Sequence, residues 1–310
     1  MASRGGRELD DSALPTLLTE ERGGRLATHR RLVARTVRAI EERRPATVVV
    51  QNYLVPLMED AVHRAARRVG ARLIVVVHDH RHHGRLAGNR VALGRQLLRA
   101  DDLVAHSAFV ASAVARDHGR RPEVIPHPIV RPMLARPRPT APVLPPSDDL
   151  TAVHIGVLTR RANKGTDVAV GLAARGVPGW RVGFLGRGAP AVPGALTLDR
   201  FLEAGELVAA LEAADAVLLP YRFASQSGVV VLAQALGCIP IATAVGGLPE
   251  QIDDGVTGLL LASGASLDAW ADALHSLEDG ARVAEMTTAA RATVEQAHDA
   301  FAAAVRRLVG

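Results

Sequence analysis

The sequence predicts an α/β protein built from two parallel-sheet domains, and three observations carry that expectation. Short apolar runs rich in β-branched residues recur along the chain, among them Thr47–Tyr53 (TVVVQNY), Ala71–Val77 (ARLIVVV), Ala152–Leu158 (AVHIGVL) and Ala216–Pro220 (AVLLP). Runs without polar alternation belong to strands buried on both faces. Segments of helical periodicity separate them, which is the pattern of βαβ units. Finally, Arg136 to Asp149 carries five prolines and little that could pack. Proline fixes the backbone and removes a donor, so this stretch reads as a linker. The expected parts are an N-terminal domain over 1–136, a linker over 137–149, a C-terminal domain over 150–298 and a final helix over 299–310.

Composition narrows the class. With 310 residues, 48% hydrophobic and 22% charged, the chain can bury two cores of ordinary size and does not read as disordered. The net charge of +5 is spread along the chain and aromatic residues make up only 3%, which argues against a nucleic-acid partner because no stacking platform is available. No apolar run approaches the roughly 18 residues of a membrane span, and Met1 to Asp11 is polar, so a cytoplasmic protein is expected. Cys238 is the only cysteine and excludes an internal disulfide; its apolar neighbours make it a small core residue. Among 37 basic residues Lys164 is the only lysine.

Taken in order, residues 1–24 hold a short amphipathic segment (Leu14, Leu17, Leu18) that stops at Gly23-Gly24. A basic helix follows over Arg25–Arg44, with Leu26, Val33, Val37 and Ile40 on one face and Arg30, Arg31, Arg35 and Arg38 elsewhere. Such a helix either covers a sheet with its charges in solvent or makes peripheral contact with anionic lipid or an acceptor phosphate. After the strand Thr47–Tyr53 and the helix Met58–Val69, the strand Ala71–Val77 delivers His78-Asp79-His80, then Arg81, His82 and His83. Consecutive histidines on one loop do not converge on a metal ion without partners elsewhere, and no Cys/His cluster completes the set, so no metal is expected. Arg90–Leu98 reads as helix and Asp101–Ala105 as strand. Ser107 is placed to cap the helix that runs toward His118. Val124–Ile129 (VIPHPI) reads as a strand and turn, with His127 as a turn residue.

Beyond the linker, the strand Ala152–Leu158 enters the loop Thr159 to Gly165 (TRRANKG), and Asp167 to Ala174 is helical. Trp180–Gly186 is a strand, Leu196–Phe201 leads into the helix Glu206–Ala213, and Ser266–Leu277 and Arg282–Leu308 are alanine-rich helices. The most informative stretch lies between them, Pro220 to Leu261. A polar loop, Arg222 to Ser227, follows a buried strand and precedes Gly228 and the helix Val229–Leu236. Gly237 stops that helix, Ile239–Thr243 is a strand containing Pro240, and Gly246-Gly247 opens a turn toward Glu250. A strand, a glycine-bearing loop and a helix N-terminus form an anion site, because unpaired backbone N–H groups point outward from the first turn.

This stretch resembles the donor-binding segment of the family 4 retaining glycosyltransferases. Pro220, Gly228, Gln234-Ala235, Gly237, Pro240-Ile241, Gly246-Gly247, Glu250, Gly255 and Gly258 stand in the family's order and spacing. The resemblance covers about Thr47 to Leu261. It implies the GT-B fold, two Rossmann-like parallel-sheet domains facing a cleft, with the last helix, Asp299–Leu308, crossing back onto the first domain. That first, acceptor-binding domain looks shortened, since no strand and glycine-rich loop precede Thr47. In place of the family's two motif glutamates, eight positions apart, stand Gln226 and Gln234.

The resemblance implies transfer of a sugar from a nucleotide-diphosphate sugar with retention, without a metal or other cofactor. Lys164-Gly165 matches the lysine-glycine pair that holds the diphosphate leaving group. The family's arginine, which follows the glycine equivalent to Gly156, has no clean counterpart because Val157 stands there, so Arg160 or Arg161 would supply the guanidinium. Backbone amides at Ser227, Gly228 and Val229 would assist. His78 matches the histidine facing the donor sugar. Gln226 would lie close to that sugar, and Gln234 would accept from the ribose hydroxyls, keeping contact without charge. The alternative is a catalytically silent GT-B protein that binds a nucleotide sugar or assists a partner transferase; a GT-B epimerase or phosphorylase is a third reading. The acceptor, a small molecule, a lipid or a glycan, is not written in these motifs.

Overall fold

A computed structural model describes residues 25–52, 56–79, 89–158 and 162–309. The described chain divides into two compact units, one formed by residues up to Val75 together with His82–Asp101, the other by Val76–Arg81 and Asp102–Gly310. The amphipathic segment expected before Gly24, the histidines His80, His82 and His83, and both Arg160 and Arg161 lie outside the described residues.

In the first unit, helix α1 (Arg25–Arg43) leads into strand β1 (Thr47–Asn52), helix α2 (Pro56–Arg68), strand β2 (Arg72–Val77) and helix α3 (Asn89–Arg99). α1 keeps Arg30, Arg31, Arg35 and Arg38 exposed and buries Ile40. β2 is an uninterrupted apolar run with every residue after Arg72 buried, as the absence of polar alternation in its sequence requires. Asp60, buried on α2, is held by Arg64 one turn on and by Arg99 from α3, which compensates a carboxylate that would be costly to bury alone.

β2 passes into the second unit, where strand β3 (Asp102–Ala105), helix α4 (Ala108–His118) and the short strand β4 (Glu123–Val124) follow. These strands run in the order β1-β2-β3-β4. α4 begins at Ser107, whose hydroxyl accepts from the Val110 N–H at 3.2 Å, and ends at Gly119 in the left-handed conformation. A single turn, α5 (Arg131–Leu134), precedes the proline-rich stretch.

The rest of the second unit is a doubly wound sheet. Strands β5 (Leu150–Ile155), β6 (Trp180–Leu185), β7 (Leu196–Leu198), β8 (Ala216–Leu219), β9 (Ile239–Thr243) and β10 (Leu259–Leu261) pair in parallel in the order β7-β6-β5-β8-β9-β10. Helices α6 (Thr166–Arg175), α7 (Ala204–Glu212), α8 (Gly228–Leu236) and α9 (Leu267–His275) cover it, and α10 (Gly280–Val309) closes the chain. Alternate strand residues feed two cores. Val153, Ile155, Val217 and Leu219 pack against α7 and α8 through Val208, Leu211, Val230 and Leu232. Ala152, Ala216, Leu218 and Ile241 pack against α6 and α9 through Leu172, Trp270 and Leu274. Cys238 is fully enclosed beside β9, where burial pushes its thiol up and keeps it protonated. Among the described residues no helix is long and apolar enough to cross a membrane.

Candidate donor site at the strand switch point

The strand order of the second sheet reverses between β5 and β8. The helix after β5, α6, lies on one face and the helix after β8, α8, on the other. The two connections therefore part at the C-terminal ends of these neighbouring strands, leaving a crevice that no crossover helix can fill. One connection carries Lys164-Gly165 and the other Gln226-Ser227-Gly228.

These two loops are pressed together. Gly165 has φ 61, and a Cβ there would come within 1.8 Å of the Pro220 carbonyl oxygen, so only glycine fits. The Arg222 N–H donates to the Asn163 carbonyl at 2.8 Å, and Lys164 Nζ stands 3.8 Å from the centroid of the Tyr221 ring. Behind them, His154 is fully buried on β5: Nδ1–H donates to the Leu218 carbonyl at 2.9 Å and Nε2 accepts from the Thr166 hydroxyl at 3.1 Å. Burial holds this imidazole neutral by lowering its pKa to about 4, with the Lys164 charge adding to the effect. His154 thus ties the start of α6, next to Lys164, to the switch-point strands.

The start of α8 is shaped by its neighbours. Ser227 is the N-cap residue, but its side chain makes no capping bond, so the first-turn amides are left uncapped by it. Its backbone is instead clamped by Gln251: the Ser227 N–H donates to Gln251 Oε1 at 2.7 Å and Gln251 Nε2 donates to the Ser227 carbonyl at 3.2 Å. Gln234, 1% exposed, donates through Nε2 to the carbonyls of Gln251 and Thr257 at 3.0 and 3.2 Å. A carboxylate at 234 could make neither bond.

The other wall comes from the ends of β2 and β3 and the turn after β4. The Ser225 hydroxyl donates to the Asp79 carboxylate, and Gln226 Nε2 makes a long contact, 3.5 Å, with His78 Nδ1. Gln226 Oε1 is buried and has no hydrogen-bond partner among the described residues. The His78 ring meets His106 at 5.3 Å between centroids, and His106 meets His127 at 5.0 Å and Phe301 of α10 at 6.3 Å. Burial, then the neighbouring imidazoles, push His78 down to about 3 and His127 to about 4; burial also lowers His106. The three rings are therefore neutral at pH 7. Among the described residues no group is arranged to hold a metal ion.

Glu250 fastens this wall. Its carboxylate accepts from the Ala108 and Phe109 N–H groups at 2.5 and 2.7 Å, capping α4, while the Ser107 hydroxyl donates to the Ser225 carbonyl at 3.0 Å. Gly247 lies against both: a Cβ there would come 2.2 Å from the Ser225 oxygen and 2.9 Å from Ser107 Cβ.

Of the residues singled out from the sequence, Lys164, Gly165, Ser227, Gly228 and Val229 gather in the two switch-point loops, with His78 and Gln226 in contact beside them. Gly156 follows β5, its carbonyl covered by Gly186. Gln234 is beneath, in the loop-holding role just described. Three further residues, His106, His154 and Gln251, were not singled out. Gln251 directly follows the recognised Gly-Gly-x-x-Glu turn, whereas the two histidines carry no local signal.

Residues 150–279 match the profile of the family described as Glycosyl transferases group 1. The chain is 48% identical over 73 residues to D-inositol 3-phosphate glycosyltransferase of Actinosynnema mirum, and 41% identical over 113 residues to the enzyme of that name from Mycobacterium ulcerans. These matches take in 24% and 34% of this chain and only 17% and 24% of the relatives' length. In fold it is similar to Anabaena HepE, solved in complex with UDP-glucose (TM-score 0.68, 18% identity, 89% of this chain and 82% of that one). It is similar too to sucrose-phosphate synthase from Thermosynechococcus elongatus (TM-score 0.68, 17% identity, 93% and 79%). The architecture is thus that of the GT-B glycosyltransferases, with two parallel-sheet α/β domains.

Proposed function

We propose that the protein is a retaining glycosyltransferase that moves a sugar from a nucleotide-diphosphate sugar to an acceptor. The observation that carries this reading is the convergence of the sole lysine and the uncapped start of α8 on the two loops of the switch point. An anion bound there meets an ammonium and helix amides together. The match over residues 150–279 and the complex of HepE with UDP-glucose support a nucleotide sugar as that anion.

In retaining transfer the acceptor oxygen attacks the face from which the diphosphate departs, so negative charge grows on the leaving phosphate while the sugar becomes cationic. Lys164, assisted by Arg160 or Arg161 and the amides of Gly228 and Val229, stabilises the departing diphosphate. His78 orients the sugar, and Gln226 offers a neutral carbonyl oxygen near the anomeric centre. With Nε2 of Gln234 committed to two carbonyls, any ribose contact from this residue is made through Oε1. No metal takes part, the lysine and amides serving that purpose. The acceptor is a small molecule, lipid or glycan, and the exposed arginines of α1 provide a peripheral contact for an anionic one.

Thermal unfolding with UDP, GDP, ADP and TDP sugars tests the donor. One of them, well above its Kd, raises Tm by several degrees. If none shifts Tm and none binds by calorimetry, the donor reading is wrong.

A further inference from the structure

The histidine wall has a chemical consequence beyond orienting a sugar, and it rests on the donor reading above. The His127 Nδ1–H donates to the Pro128 carbonyl at 3.0 Å, which fixes the tautomer and leaves the lone pair on Nε2. That Nε2 edge lies over the start of α8: a Cβ built on Gly228 would sit 3.7 Å from both Nε2 and Cε1 of His127. A diphosphate oxygen seated on the α8 amides would therefore face a nitrogen lone pair, two acceptors opposed with no proton between them. One proton on Nε2 turns this repulsion into a charge-assisted hydrogen bond while Nδ1–H keeps its carbonyl.

We propose that His127 is a donor-diphosphate contact that acts as the imidazolium, so that binding of the nucleotide sugar takes up a proton from solvent. Without a bound anion the ring is neutral because it is buried against His106, which in turn meets His78 edge-on, so a charge on one disfavours a charge on the others. Several ionic groups of the surrounding elements are engaged, while His298 of α10 has a buried Nδ1 with no hydrogen-bond partner among the described residues. Asp79 is bound to Ser225 and Glu250 to the α4 amides. On α10, Glu295 pairs with Arg131 and Arg307 with Glu123, and the ring that α10 places against His106 is the uncharged Phe301. The incoming diphosphate is then the charge that draws the proton onto His127.

The test uses calorimetric titration of the full chain with UDP-glucose, and with GDP-, ADP- and TDP-glucose, in buffers of different ionisation enthalpy between pH 6 and 8. These donors do not titrate in that range, so any proton taken up belongs to the protein. The donor that binds should bring close to one proton with it, and its Kd should rise by up to about tenfold for each pH unit of increase while the bound imidazole holds that proton, levelling off once the bound imidazole deprotonates. His127→Gln, which offers a neutral N–H at the same reach, should bind with a flat pH dependence and no uptake; His127→Phe, which keeps the ring, should bind more weakly at pH 6. A wild type that binds a donor without proton uptake overturns the inference and leaves the donor site standing. Persistence of uptake in His127→Gln overturns it equally, by sending the proton elsewhere. Failure of every donor to bind the wild type overturns the donor reading itself.

Discussion

At the scale of single residues, the glutamine at 234 separates two uses of one position. Its amide nitrogen lies within reach of two carbonyl oxygens, and only a donor satisfies both. A glutamate here would set a carboxylate against two carbonyls in a site 1% exposed. We expect Gln234→Glu to lower unfolding free energy by about 2 kcal/mol or more in chemical denaturation, since buried groups left unsatisfied cost at least that. A variant as stable as wild type would show that the amide does not pin the loop. Gln234 was visible in the sequence, but its partners were not: Gln251 and Thr257 stand 17 and 23 positions on, brought near by the fold.

At the scale of elements, some of the glycines of the two switch-point connections and the turn after β9 were legible because they sit where two backbones touch. Gly165 against Pro220 and Gly247 against Ser225 admit no side chain, and local spacing records that. The cap of α4 was only half legible. Ser107 is a local signal, yet the carboxylate that holds the Ala108 and Phe109 amides arrives from Glu250, more than 140 residues away. Removing it strands two first-turn donors. Glu250→Ala should therefore cost about 1–2 kcal/mol, with Glu250→Gln costing less; urea denaturation of both variants checks the order, and equal stabilities would deny Glu250 this capping role. The strand order, too, lay beyond sequence reading. The run of βα units predicts parallel strands, but the reversal between β5 and β8 is a property of the assembled sheet.

At the scale of the molecule, imidazoles kept neutral by burial set its response to acid. His63, His78 and His154 have folded pKa values lowered to about 4, 3 and 4 from an ordinary value near 6.5. The unfolded chain therefore takes up these protons first as pH falls. The stabilisation is complete above about pH 6.5 and is lost between there and about pH 4, by roughly 1 kcal/mol for each group at pH 5.5. Unfolding free energies measured from pH 7.5 to 5 should fall steeply below 6.5, and a flat profile would mean that these rings are not buried neutral. Nothing local in the sequence marks His154, which reads as one polar residue in an apolar strand, or His106, whose neighbours come from the end of β2, the turn after β4 and α10.

In the proposed reaction Lys164 and the start of α8 act on one diphosphate. Release of nucleoside diphosphate from UDP-, GDP-, ADP- or TDP-sugar, by transfer or slow hydrolysis, measures this directly in the wild type and in Lys164→Ala. We predict turnover of one donor by the wild type and a loss of about two to three orders of magnitude in the variant, with Tm unchanged within a few degrees. Turnover that survives Lys164→Ala, or a wild type that binds a nucleotide sugar and never cleaves it, would contradict the account.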